Sequence, residues 1–332
     1  MNTRDFERDI LDAAAFDGTR KASRFSWSYA RETLFRKCKR ACFIRYYLAQ
    51  GRWDPYAHPL IRSAYVEKYR LPFRLWLART FHLALQNGFR KAAAVPQEKR
   101  ERMFSGVCLR YLGKSVSDLQ FSLENREYVD DPKKPAITEF LCAEDRTGAL
   151  IQLKQTAVDS FSAAYAAFTK SSVFQNILAL DFTDLRLEDP FLSFQFEQWP
   201  VWFAPGIVWH EKRKFHMLLC DVPGESGKED IAPRVTAALF QLFVRSKWNN
   251  CRGATASAFI FQEGAGDFVP LDPYPDIRNI IRKSSAEMLA LVHEDSLVDY
   301  RDFPCTEDSA NCKTCQFAGT CKALQQWEQQ QQ

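Results

Sequence analysis

The sequence predicts an α/β protein: a large helical N-terminal part, a mixed-sheet core, and a C-terminal cysteine-rich segment that staples the ends together. Three observations predict it. Apolar residues recur at helical spacing through the first 130 residues. The middle of the chain changes to short alternating runs rich in Phe, Trp, Val and Ile. Three cysteines then crowd the C-terminus as C-x2-C-x5-C (Cys312, Cys315, Cys321), and Cys38 stands near the other end in RKCKRACFIRYY.

In chain order, residues 1–22 form a helix or arm. Leu34, Phe35, Cys38, Cys42, Phe43, Tyr46 and Tyr47 mark one face of a helical stretch over 23–50, with Ser26 or Ser28 as its cap. Residues 51–62 read as loop, 63–94 as a helical region interrupted at Pro72, and 97–128 as a further helix. AITEFLCA (136–143) and GALIQLK (148–154) read as two strands around the turn EDRTG, with a helix over 157–170. Residues 191–222 read as a β-meander, 232–248 as an apolar helix, 254–262 as a strand and 273–295 as a helix. The expected regions are 1–130 (helical, basic), 131–300 (α/β core), 301–325 (metal-binding segment) and 326–332 (disordered tail).

The 332 residues suffice for a large core, with 46% hydrophobic and 14% aromatic residues arguing against disorder. No apolar run approaches a membrane span, and the charged start MNTRDFERD does not resemble a signal peptide, so a cytoplasmic protein without membrane contact is expected. In that compartment the ten cysteines stay reduced. Cys108, Cys142, Cys220 and Cys251 read as small buried hydrophobes, while Cys42 and Cys305 are ambiguous neighbours of ligand candidates. Net charge is only +4, yet Arg20–Lys114 carries 22 Lys and Arg against 5 Asp and Glu. A basic third on an acidic body suits a polyanion; it equally suits a solvated helical surface.

Four thiolates from Cys38, Cys312, Cys315 and Cys321 accept either zinc or an iron–sulfur cluster, and residue chemistry alone leaves both open, as it does four unrelated thiols. Around Cys38, the cations Arg36, Lys37, Lys39, Arg40, Arg45 and Arg52 interleave with Phe43, Tyr46 and Tyr47, a pattern for phosphate neutralisation and base stacking. The chain has no G-x-x-x-x-G-K-[ST] and so is not its own nucleotide-driven motor; H-E-x-x-H and G-x-S-x-G are also missing.

The tail CKTCQFAGTC with the remote Cys38 resembles the iron–sulfur branch of the PD-(D/E)XK nuclease superfamily, which includes RecB/AddB-type exonuclease domains and CRISPR adaptation nucleases. The resemblance implies a restriction-endonuclease-like sheet, a [4Fe–4S] cluster on the four cysteines, DNA as partner, and a place beside a helicase or ATPase in repair, recombination or anti-phage defence. It also implies roles for further residues. ARTFH matches the family's helix of a small residue followed by histidine, here Ala78 and His82. Asp221, at the end of the hairpin-like VWFAPGIVWHEKRKFHMLLCDVPG, matches the (D/E) position, and Gln241 matches the following Gln helix.

The chain departs from the pattern where a metal-dependent nuclease needs it. Gly206 stands at the first metal carboxylate, Pro223 at the lysine, and Arg245 at the aromatic after the glutamine. With one carboxylate and the lysine lost, Mg²⁺ or Mn²⁺ is poorly held and the nucleophilic water poorly placed. The expectation is therefore a nucleic-acid-binding protein with a degenerate site. A second candidate site, Glu139 with Gln152 and Lys154 in the expected 136–154 hairpin, is the route by which an active Mg²⁺/Mn²⁺ nuclease survives. A zinc-stapled interaction module is the remaining alternative.

Overall fold

The structure is a computed structural model that describes residues 16–22, 24–50, 54, 56–131, 134–181, 185–187, 192–211, 214–221, 231–248, 255–262, 268–294, 296–313 and 315–331. The elements in order are β1 (Thr19–Lys21), α1 (Tyr29–Lys37), α2 (Lys39–Phe43, running into a π-turn at Ile44–Leu48), α3 (Pro59–Lys68), β2 (Arg70–Leu71), α4 (Phe73–Ala92), α5 (Gln97–Glu124), α6 (Glu127–Asp130), β3 (Ala136–Ile137), α7 (Thr138–Cys142), α8 (Arg146–Lys170) and α9 (Ser172–Ala179). Then come β4 (Leu185–Leu187), β5 (Ser193–Phe196), β6 (Trp199–Trp202), β7 (Ile207–Glu211), β8 (Lys214–Asp221), α10 (Ala232–Lys247), β9 (Thr255–Gln262), β10 (Phe268–Leu271), α11 (Ile277–Leu289), β11 (Leu297–Asp299), α12 (Ser309–Lys313) and α13 (Ala318–Gln331).

The fold is mixed α/β with a large helical part, as expected, and among the described residues no helix is long and apolar enough to cross a membrane. It divides into two units that both cut across the expected regions. A terminal unit gathers 1–71, 125–138 and 280–332; a central unit holds 72–124 and 139–279.

In the central unit, α4 and α5 pack lengthwise with α8 and α9. Phe89, Phe104, Phe168 and Phe174, all fully buried, form one cluster with ring centroids 4.7–6.3 Å apart. Truncating any of them to Ala costs roughly 3–5 kcal/mol. Five strands line up as β10-β9-β8-β7-β4. β4, β7 and β8 run antiparallel in succession, α10 crosses over, and β9 returns parallel to β8 with Lys214 opposite Thr255 and Asp221 opposite Gln262. Val235, Leu239, Phe240, Leu242 and Phe243 bury one face of α10.

The region 136–154 is not a hairpin. Only Ala136–Ile137 is extended, paired with β2 in the terminal unit, and residues 146–170 make one continuous helix. Its buried residues Leu150, Ala157, Phe161, Ala164 and Phe168 keep helical spacing throughout. Asp145 caps it by accepting from the Gly148 amide at 3.0 Å. The alternation of the short window 148–154 conceals the first two turns of that longer period.

The terminal unit has its own core, where Phe43, Ile44, Tyr47 and Leu48 meet Val298, Tyr300, Phe303, Phe317 and Leu324. Trp27 is fully buried and donates from Nε1 to Ser284 Oγ at 2.8 Å. The tail expected to be disordered is instead helical to Gln331, with Trp327 packed against Phe16 and Tyr300 at 5.0 and 5.9 Å between centroids. A polyglutamine sequence hides this because a single tryptophan carries the docking.

Candidate metal centre and nucleic-acid interface

Cys38 sits where one helix ends and the next begins. Its backbone is extended (φ −164°, ψ 114°); its N–H closes α1 on Leu34 at 2.8 Å, and its carbonyl opens α2 by accepting from Cys42 at 3.1 Å. That break turns the Cys38 side chain away from the face that Cys42 occupies. Cys312 lies on α12; Cys315 follows in a turn closed by its amide on the Cys312 carbonyl (3.2 Å); Cys321 occupies the first turn of α13.

All four line one cavity of about 310 Å³, joined by Cys305 and walled by Ala41, Ile44, Phe317 and Ala318. The Cys305 and Cys321 sulfurs are 3.5 Å apart. Among the described residues no three potential ligand side chains close on a single point as for one metal ion. The thiols surround a void instead. Thr306, Lys322 and Gln325 also line it, but five thiols around a mainly apolar void are the donors that fit a soft-metal group, iron–sulfur or zinc. Burial pushes the Cys321 thiol up to about 12, with Cys305 adding to it, and burial raises Cys315 too; nearby Arg40 and Lys37 act in the opposite sense on Cys321 and Cys315, respectively.

Cys42 is excluded from this set: it is fully buried among Phe35 and Met288, and desolvation pushes its thiol up to about 11. Of the cysteines expected in the core, Cys108 is buried and Cys142 is exposed; Cys251 lies outside the described residues.

The tail is held in place by a residue that sequence reading missed. Glu67, on α3, is 2% exposed. Its Oε2 accepts from the Thr320 amide at 3.2 Å in the first turn of α13, its own carbonyl accepts from Gln316 Nε2 at 3.0 Å, and Thr320 Oγ1 meets Ser63 Oγ at 2.8 Å. A carboxylate at a helix N-terminus is the favourable polarity. A Cβ on Gly319 would lie 2.6 Å from Glu67 Oε1, so glycine in the C-x5-C spacer is what lets the carboxylate approach.

The basic stretch splits by role. Lys37 and Lys39 are exposed, and with Arg36 they line a shallow depression of about 230 Å³ that shares Cys38, Cys305 and Thr306 with the cysteine-lined cavity. Arg36 is paired with Glu32 at 2.9 Å and Glu287 at 2.5 Å. Arg40 does not belong to a binding surface: it is buried, donates from Nε to the Phe303 carbonyl at 2.7 Å and stacks on Tyr300. Arg45 reaches the Lys68 carbonyl at 3.4 Å beside the half-buried Tyr46, whose ring lies under Arg31. Tyr47 is core, its hydroxyl accepting from Arg31. Arg52 lies outside the described residues.

In the central unit, β7 and β8 form the expected hairpin. Gly206 immediately precedes β7, and the pairing of Ile207 with Leu218 puts it at the end of the hairpin where β8 runs out to Asp221. The Asp221 side chain and Pro223 lie outside the described residues. Gly206 has φ +74°, and a Cβ there would stand 2.4 Å from His82 Nε2. The histidine thus packs on bare backbone where the resemblance expects a carboxylate. Desolvation pushes its pKa down to about 4, so the ring is neutral at pH 7. Gln241 donates from Nε2 to the Ala256 carbonyl at 3.2 Å, tying α10 to β9.

The second candidate site is not assembled as a hairpin. Glu139 lies on α7, and both its carboxylate oxygens accept from the Phe73 amide (3.1 and 2.9 Å), capping α4 from outside; Gln152 and Lys154 lie on α8. Glu139→Ala should therefore cost about 1 kcal/mol of stability, measurable by urea unfolding, as loss of a helix cap does.

No family model matches the chain, and no curated protein is similar to it. A solved structure described as "Crystal structure of SSO0001" is similar over 61% of this chain and 82% of that one, at 13% identity and a TM-score of 0.26.

Proposed function

We propose that the chain is a nucleic-acid-binding protein with a PD-(D/E)XK nuclease-like core, a [4Fe–4S] cluster on Cys38, Cys312, Cys315 and Cys321, and a degenerate hydrolytic site. The observation that carries this reading is that Cys38 lines the same cavity as the three tail cysteines. The order of parts in the central unit supports it: helices, three antiparallel strands, the α10 crossover and a strand parallel to the third. The absence of a carboxylate at Gly206, where His82 packs instead, supports degeneracy.

In this reading the cluster, when bound, supplies no hydrolytic chemistry and cross-links α1–α2 to the C-terminal segment. Lys37 and Lys39 neutralise phosphates beside it. The protein serves as a DNA-binding or scaffolding subunit next to a helicase or ATPase in repair, recombination or anti-phage defence. Mg²⁺ or Mn²⁺ would matter only to an active site.

Anaerobically purified protein should carry iron and sulfide, absorb near 400 nm and bind single-stranded DNA. Lys37→Ala with Lys39→Ala should weaken binding and reduce the salt slope by about 1.4, at roughly 0.7 per phosphate contact for a single strand. No cleavage should follow addition of Mg²⁺ or Mn²⁺; robust cleavage abolished by Asp221→Ala refutes the degenerate site.

A zinc-stapled module is the second reading. The observation that favours it is the cavity's cysteine lining, which a tetrahedral zinc accepts as readily as a cluster does. Zinc without iron, together with no salt-dependent DNA binding, would select it.

A further inference from the structure

Five thiols line a cavity whose metal group takes four, and resting on the metal-centre reading above, we propose that Cys305 and Cys321 share one coordination position, so that either can be the fourth ligand.

Cys305 is held at the site from both sides. The carbonyl before it, on Pro304, accepts from the Arg40 amide at 3.1 Å, and the Phe303 carbonyl accepts from Arg40 Nε at 2.7 Å. Buried Arg40 therefore fixes the Cys305 loop to the helix that begins just after Cys38. From the other side Gln325 Nε2 reaches the Cys305 sulfur at 3.7 Å. Cys321 and Gln325 are four residues apart on α13 and so lie on one face. The Cys305 sulfur rests over that face, 3.5 Å from Cys321 Sγ. Two sulfurs this close would reach the same point of a bound group, so they would compete for one position on it. Exchange is a ligand substitution: the incoming thiol gives its proton to solvent as its sulfur bonds the metal, and the outgoing thiolate takes one up. No electron moves.

The test is metal content in full-length protein reconstituted with ferrous iron and sulfide, and separately with zinc. Cys321→Ser and Cys305→Ser should each keep at least half the parent's metal. The double variant and Cys38→Ser should each lose at least 90% of it, with far-UV circular dichroism reporting on folding. Loss in Cys321→Ser as complete as in Cys38→Ser overturns the inference, as does loss in Cys305→Ser alone. Because a variant can fail to fold, the loaded parent is also alkylated and mapped by mass spectrometry. Partial, complementary modification at Cys305 and Cys321 supports sharing; complete modification of one with complete protection of the other overturns it. A parent that takes up neither iron nor zinc defeats the metal-centre reading itself.

Discussion

On the proposed metal centre, Cys38→Ser should leave the protein without metal and lower the melting temperature of the terminal unit by roughly 10 °C or more. The size follows from what the site joins. Cys38 lies between α1 and α2, while the other cysteines of the cavity come from residues 305–321, so a bound group would join segments that are otherwise held by many weak contacts. Structural thiolate sites return on the order of 10 kcal/mol in folding free energy, and only part of that is needed for such a shift. What remains without metal is the Glu67 cap on α13 and the packing of Phe303, Phe317 and Trp327. Glu67→Ala in the metal-free protein should then detach the tail further, read as faster proteolysis after residue 303. A Cys38→Ser protein that melts like the parent and keeps its metal would remove Cys38 from the ligand set.

Gly206→Ala destabilises the central unit by about 2–5 kcal/mol, because a left-handed φ costs an alanine ~1–2 kcal/mol and overpacking against a neighbour adds ~1–3. The neighbour is named: His82 Nε2, 2.4 Å from where the Cβ would be, with Gln86 Nε2 at 3.6 Å. Adding His82→Ala should relieve the steric part and leave the backbone part, giving favourable coupling of about 1–3 kcal/mol in a double-mutant cycle. Additive losses would mean that the contact is not made. The histidine adds a pH signature. Its folded pKa of about 4 lies below the ordinary 6.5, so the unfolded chain binds the proton first. Stability from this group is complete above pH 6.5 and falls as pH drops towards 4, by at most about 3 kcal/mol. His82→Gln should flatten that limb. For the same steric reason, Gly206→Asp should not restore a metal site.

Which parts were legible follows from the length scale of each signal. The helices over 29–48, 73–92 and 97–124 and the β7–β8 hairpin announce themselves through several periods of apolar spacing or a clear turn between alternating runs. The C-x2-C-x5-C frame and the remote Cys38 stood out because such spacing is itself chemical, and all four line one cavity. The 136–154 segment was misread because seven residues of alternation fit a strand as well as two turns of a longer helix, and only Phe161 and Phe168 resolve them. Arg40 and Arg45 sit in one basic run, yet burial against Phe303 and Tyr300 separates the first from the surface, and nothing local in the sequence marks that. Glu67 was invisible for a similar reason: its partners are about 250 residues away, at Gln316 and Thr320. Cys305 fell outside the C-x2-C-x5-C frame and becomes a candidate only once the loop carrying it is placed over α13.

The division of the chain has a consequence for its biosynthesis. Residues 72–124 and 139–279 form one unit, so most of its internal contacts can form before the segment 280–332 has emerged from the ribosome. The first 71 residues cannot finish with it, because part of their core, Val298, Tyr300, Phe303, Phe317 and Leu324, is made only after that unit. Until then Phe43, Ile44 and Leu48 lack their burial partners on the nascent chain, a state that invites chaperone capture. On the proposed ligand set, metal could bind only after the thiols of residues 305–321 have followed residue 280 out of the ribosome.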